Sequence, residues 1–300
     1  MTEQIEMTTT RPSAEASPIR REEASMLDQA IDRDYRHERR LRARDLALAV
    51  LTPLVLLGLW ELAARIGVLD ARLFTPPSEI AQRGWQMIVS GELWGHIAAT
   101  VARLAVGLVL GAVVGILAGL LMGVRRPVRA AFGPMFTALY ALPKIAILPL
   151  LLLVFGLTET PKVLAVAISV FFVMQINTLA GILQIDARIL EAARAYRATG
   201  WKLFRYVLLP GATPTIMTGL RVSAGISVIV VIAVEFVASN NGLGYLIWNS
   251  WQLFQPQTMY VGLITVSIIG ALVTALVIVL ERVLLPWRHS DGPRKKEKKQ

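Results

Sequence analysis

The sequence predicts an all-α polytopic membrane protein with about six transmembrane helices, and three observations carry that prediction. First, 55% of the 300 residues are hydrophobic and 17% charged, against about 45–50% and about 25% in a water-soluble domain. Mean hydropathy is +0.56. Second, the apolar residues gather into runs near the roughly 20 residues that a helix needs to cross the hydrocarbon core. Third, the net charge of +10 falls in blocks between those runs, a topology signal and not the aromatic-interleaved basic face that nucleic acid demands. The absence of cysteine excludes disulfides, thiolate metal centres and thiol nucleophiles.

Taken in chain order, residues 1–45 form a tail, Thr/Ser/Pro-rich at first and charge-dense from Ile19 to Arg44. Its nine arginines are matched by ten acids, so it is no polybasic membrane anchor. Solvated disorder followed by a weak amphipathic helix through Leu27, Ile31 and Tyr35 is expected. A membrane domain over 46–287 follows, with spans expected at Leu46–Ile66, Ile97–Gly123, Ala130–Phe155, Val163–Leu183, Ile216–Ala238 and Val261–Leu284. Between them lie an outer stretch Gly67–His96, a turn at Val124–Arg129, a link at Gly156–Lys162, a polar loop over 184–215 and a second polar stretch, Ser239–Tyr260. With the N-terminus inside, 25 of the 31 Lys and Arg fall on the cytoplasmic side, where such residues concentrate. Both termini are expected there, and the basic tail 288–300 enforces the same topology. The first apolar run follows a long charged tail and exceeds a secretory h-region, so no cleavable signal is expected.

The second span carries Gly107, Gly111, Gly115, Gly119 and Gly123. At 100° per residue these stack on one slowly drifting face, a groove in which another helix backbone can settle, within one subunit or across a dimer. The third span holds Pro134, Pro143 and Pro149, with Lys144 beside the second. Each proline removes a donor and clashes with the preceding turn, so a kink or break is expected. Irregular backbone at membrane depth survives only where it is buried in protein or lines a wet cavity. Lys144 is therefore a pathway candidate, as are Arg103, Asn177, Arg221 and Glu235, polar residues at depth in other spans.

Enzyme chemistry finds little support. The three histidines, His37, His96 and His289, have no metal-ligand spacing, and no phosphate loop of the G-x-x-x-x-G-K-[ST] type occurs. ATP, if it drives this chain, must be bound by another subunit.

The polar loop is the most informative stretch. Asp186 is a plausible N-cap, and the Ala-rich run to Ala198 favours helix. Thr199 and Gly200 break it. A second short helix then sets Leu203, Phe204, Val207 and Leu208 on one side and is expected to stop before Pro210. A helix–turn–helix with an apolar side and the small residues Ala192 and Ala193 suits a partner's groove. Tethering between two spans argues against the DNA groove that a helix–turn–helix can also read.

These residues resemble a known family. Glu191-Ala192-Ala193, the glycine after it, and Leu208-Leu209-Pro210 look like the EAA loop of ABC importer permeases, in particular those for nitrate, sulfonates, taurine and bicarbonate. The likeness extends from Leu59 to Trp287 through Leu59-Trp-Glu-Leu, Ser90-Gly-Glu-Leu, His96, Thr100-Val-Ala-Arg, the glycine stripe, Ala141-Leu-Pro-Lys-Ile-Ala, Phe155-Gly, Asn177-Thr-Leu-Ala-Gly, Thr218-Gly-Leu-Arg and Asn241-Gly-Leu-Gly-Tyr. There is one departure. The family usually has glycine six residues after the Glu, where this chain has Arg197, while Gly200 stands where glycine is unusual. A shifted turn or a lengthened first helix is the expectation.

The resemblance implies the type I ABC importer permease fold and a membrane subunit acting as a homodimer with two copies of an ABC ATPase subunit and an extracytoplasmic substrate-binding protein. It implies that Glu191, Ala192, Ala193, Arg194, Arg197, Gly200, Phe204, Leu209 and Pro210 couple to the ATPase. Anionic cargo would draw attention to Lys144, Arg103 and Arg221. The rival reading is a secondary transporter driven by an ion gradient, with Glu61 or Glu235 as its proton site.

Overall fold

A computed structural model describes residues 41, 44–45, 47–70 and 72–286, and among them every regular element is helical. The expected tail helix through Leu27, Ile31 and Tyr35 and the basic run 288–300 lie outside the described residues. Five helices are long and apolar enough to span a membrane, and one bent pair brings the number to six.

The chain divides into two units, the first ending at Val68. That unit contains α1, Ala47–Arg65. Leu51, Leu54 and Leu59 on it are exposed, as befits a helix that is apolar all round. Glu61 pairs with Arg65 one turn on, at 2.6 Å.

The second unit starts with α2, Pro77–Val89, where Pro77 at the first helical position and Glu79 in the first turn favour initiation. Gly91, at φ 84°, turns the chain into α3, Glu92–Val124. Next come α4, Arg126–Tyr140, a 3₁₀ turn over Lys144–Ile147 and α5, Leu148–Phe155. Then α6, Glu159–Leu183, leads to α7, Ala187–Ala195. A single turn α8, Gly200–Leu203, and a π-turn, Phe204–Leu208, run into α9, Leu209–Ala238. The unit closes with α10, Leu243–Gln252, and α11, Pro256–Leu284.

The core lies where α6 packs between α3 and α9. Lipid tails are as apolar as leucine, so helices in a bilayer associate through close packing rather than through expulsion of water. The glycine stripe serves that need. A Cβ added at Gly107 would stand 2.7 Å from Val166 Cβ, at Gly115 2.7 Å from Met174 Cβ, and at Gly119 2.6 Å from Thr178 Cβ. Gly111 and Gly123 meet Val170 and Ile182 in the same way. The whole stripe is thus spent on α6 of the same subunit.

Two expectations need correction, and a third, the break in the proline-bearing third span, is met. Gly67–His96 and Ser239–Tyr260 are not simply loops, because each holds a helix, α2 and α10. Their apolar spacing, Ile80 with Met87 and Leu243 with Leu246 and Ile247, buries one face. The third span is a pair of helices bent by 97°. Only Pro143 breaks it, since Pro134 sits inside α4 and Pro149 at the start of α5, where its missing N–H costs nothing. Finally, the helix after Gly200 does not stop before Pro210. It continues as one 39-residue span, Gly200–Ala238. The π-turn just ahead of the proline widens the helix where the ring would otherwise meet the backbone carbonyl four residues earlier.

Candidate coupling loop and translocation site

Helix α7 starts as the sequence anticipates, with the Asp186 carboxylate accepting the Arg188 N–H at 2.8 Å. It ends at Ala195, short of Ala198, because the next residues leave the helical conformation. The Ala198 N–H reaches the Ala193 carbonyl at 2.9 Å and the Arg197 N–H reaches that of Arg194 at 2.8 Å. Those two bonds make a Schellman motif, whose penultimate residue must be left-handed. Arg197 occupies it at φ 53°. The residue at the family's usual glycine position thus adopts the conformation that glycine adopts, at a cost of roughly 1–2 kcal/mol for an L side chain. The first helix is not lengthened, and Gly200, at φ 56°, supplies a second left-handed residue before the chain re-enters helix.

The apolar side of this loop belongs to its own bundle. Ala193 and Leu208 are buried, and Leu190, Leu203 and Phe204 pack against the core. That corrects the picture of an apolar side held out to a partner. What faces outward is Glu191, Ala192, Arg194 and Arg197 with the rings of Tyr196 and Trp201, the latter stacked on Phe204 at 5.2 Å. Leu209 and Pro210 carry the chain from the π-turn into α9.

The break in the third span presents a different setting. Lys144 begins the 3₁₀ turn just after Pro143, and its ammonium donates to the Tyr140 carbonyl at the open end of α4. It also lies 4.3 Å from the Tyr140 ring centroid and 5.8 Å from that of Phe172, within cation–π range. With Tyr140, Ser169, Val173, Ile226 and Val230 it lines a cavity of about 260 Å³. Among the described residues no carboxylate pairs with it.

Arg103 differs. At 3% exposed, it donates to Glu159 at 2.5 and 2.8 Å and to Glu235 at 2.7 Å. It also reaches the Asn241 carbonyl at 2.9 Å and its side-chain oxygen. Glu235 accepts in addition from Thr100 and from the Gly244 N–H at 2.8 Å, and Lys162 donates to Glu159 at 2.8 Å. The structure thus brings two path candidates, Arg103 and Glu235, into one satisfied cluster that ties α3, α6, α9 and the start of α10 together. Sequence reasoning missed Glu159 and met Thr100 and Asn241 only inside family-like motifs, without a role, because their partners lie as many as 138 positions away. Arg221 pairs with Glu281 on α11. Asn177 donates to the Val173 carbonyl at 2.8 Å and fills the notch at Gly219 between α6 and α9.

Residues 107–289 match the family of binding-protein-dependent transport system inner membrane components. The chain belongs to that family. This permease is therefore a multi-pass inner-membrane protein, the non-catalytic membrane subunit of an ABC importer that works with an ATPase and a binding protein. It is 37% identical over 235 residues to the Escherichia coli protein named SsuC, for aliphatic sulfonate transport, covering 78% of this chain and 89% of that one. The Bacillus subtilis protein of the same name is 34% identical, over 80% of this chain and 87% of its own. The Chloroflexus aurantiacus riboflavin transport permease RibX is 37% identical, over 80% and 89%. An inward-facing crystal form of the MetNI methionine ABC transporter aligns with a TM-score of 0.56 at 20% identity, over 65% of the permease and 98% of that chain. That likeness establishes the shared fold.

Proposed function

We propose that this permease imports a small anionic solute of the nitrate, sulfonate, taurine or bicarbonate class, and that the solute passes the Lys144 cavity. One observation carries the proposal. Of the three basic candidates, Arg103 and Arg221 are neutralised by carboxylates, whereas Lys144 lines a cavity and has a carbonyl and two aromatic rings, but no carboxylate among the described residues, for partners. A cation in that setting is drawn to an anion. Relatives named for sulfonates and for taurine, which carries a sulfonate group, agree with a cargo that presents an anionic group, and one named for riboflavin sets the opposing case.

The permease works as a homodimer carrying two ATPase subunits, with both termini in the cytoplasm, where the basic residues concentrate. The exposed face of α7, from Glu191 to Arg197, seats in the ATPase and passes its closure into the bundle. Ala192, exposed and small, is the residue at which bulk blocks that seat, because Ala193 is packed inward. In reconstituted complexes, Glu191→Ala or Ala192→Trp is expected to lower ATPase association or coupled uptake at least tenfold with the permease still folded; normal uptake in both would remove the loop from coupling. Uptake that survives ATP depletion while the ion gradient persists would favour a gradient-driven carrier.

A further inference from the structure

At the end of the bundle opposite α7, the segment before α2, the α2 helix and the corner between α10 and α11 border a second, open cavity, of about 860 Å³. Its wall includes Arg72, Thr75, Arg83, Gln86, Phe254 and Gln257. Two observations distinguish it.

The first is polar capacity without an internal partner. The Thr75 hydroxyl is buried, in a residue 1% exposed, and makes no hydrogen bond. A buried hydroxyl left so costs free energy unless something else bonds it. The Arg72 guanidinium pairs with no carboxylate among the described residues, since Asp70 accepts the backbone N–H of Arg72, at 2.9 Å, rather than its side chain. Arg83, in contrast, is engaged by the Thr258 hydroxyl at 3.1 Å and by Glu92 at 3.3 Å.

The second is strain. Phe254 has φ 53°, a backbone region in which a bulky L residue is an outlier. Two bonds hold it there, Gln255 N–H to the Ser250 carbonyl at 2.8 Å and Phe254 N–H to that of Trp251 at 3.2 Å. They form a Schellman motif closing α10, which glycine would close without strain. The ring is 88% exposed, so packing inside the subunit does not compensate for the conformation. Strain that the fold itself does not use is concentrated where function uses it.

We infer that this cavity and the Phe254 ring are the seat of the extracytoplasmic binding protein, with Phe254 entering an apolar dimple of that protein and Arg72 and Thr75 receiving one of its carboxylates. The family depends on a binding protein, and a soluble protein must engage the end away from the ATPase. The cavity opens broadly to the surface beside the Phe254 ring, so a protruding side chain of a docking protein can enter it. An unpaired guanidinium beside a free hydroxyl is complementary to an acidic side chain. The inference rests on the reading that α7 faces the ATPase.

The test uses the permease with its ATPase subunits in lipid nanodiscs, titrated with purified cognate binding protein while ATPase stimulation is read. Phe254→Gly, which keeps the corner and removes the ring, and Arg72→Glu should each raise the half-maximal binding-protein concentration at least tenfold. The ATPase rate without binding protein should stay within twofold of the parent. An unchanged half-maximal concentration in both variants overturns the seat. So does a loss of basal rate or thermal stability at unchanged half-maximal concentration, the signature of a ring anchored in lipid headgroups. Failure of the coupling reading is seen separately: Ala192→Trp with parental ATPase association removes α7 from that role whatever the titration reports.

Discussion

Arg103 and Lys144 both place a full charge among the helices of the bundle, and their surroundings are opposites. Arg103 is enclosed by two carboxylates, a carbonyl and an amide drawn from three other segments. Lys144 has its own helix end, two aromatic faces and open space. Charge withdrawn from water is costly, and carboxylates offset that cost at Arg103, whereas Lys144 has only a carbonyl and ring faces. A cation whose partners are all supplied by the fold serves the fold. One without a carboxylate is, on the proposed function, the one that meets an anionic solute.

That contrast breaks first at Arg103. Replacing Arg103 by Leu strands Glu235, which is fully buried, and removing one partner of such a pair costs about 3–5 kcal/mol. We expect little folded permease in detergent extracts, and a parental melting profile would undo the structural assignment. Lys144→Gln should show the reverse: uptake of an anionic substrate falls at least tenfold while yield and melting stay parental. Unimpaired uptake would take Lys144 out of the path. A sharper version gives Lys144 the partner it lacks. Ser169 lines the same cavity, and Ser169→Asp should depress anion uptake about as far as Lys144→Gln does, with Lys144 now neutralised as Arg103 is; full uptake would mean that net charge in the cavity is irrelevant. The smallest effect belongs to the intermediate case. Arg221 pairs with Glu281 but its side chain is 48% exposed, so solvent screens the pair and Arg221→Gln should lower stability by at most about 1 kcal/mol and leave uptake alone. A loss of uptake there would extend the path to α9.

Much of this architecture is visible in the residue order, and the reasons for the exceptions are physical. Spans are legible because twenty consecutive apolar residues have few other uses, and the stripe from Gly107 to Gly123 is legible because its period matches the helix. The partner of that stripe is not, since nothing in α3 specifies α6. Helices α2 and α10 are short and half polar, so hydropathy passes over them, although Leu243, Leu246, Ile247 and Ser250 follow helical spacing and are all buried. The Arg103 cluster depends on residues that meet only after folding. Pro210 misleads because a rule about one residue ignores the π-turn before it. Arg197 misleads in the opposite way: its side chain argues for a changed turn, whereas the two backbone bonds across that turn dictate the geometry and the side chain yields.

The continuity of Gly200–Ala238 has a mechanical consequence. Thirty-nine residues at about 1.5 Å each make a rod of about 58 Å, gripped at one end by the corner after α7 and at the other by Glu235 in the Arg103 cluster. Such a rod is a lever. Its one soft joint is the π-turn at Phe204–Leu208 with Pro210 and Pro214 just beyond, where backbone hydrogen bonds are missing or misaligned. Bending imposed at the loop is therefore taken up at that joint, while the stretch beyond it, held at its far end by Glu235, moves as one stiff piece.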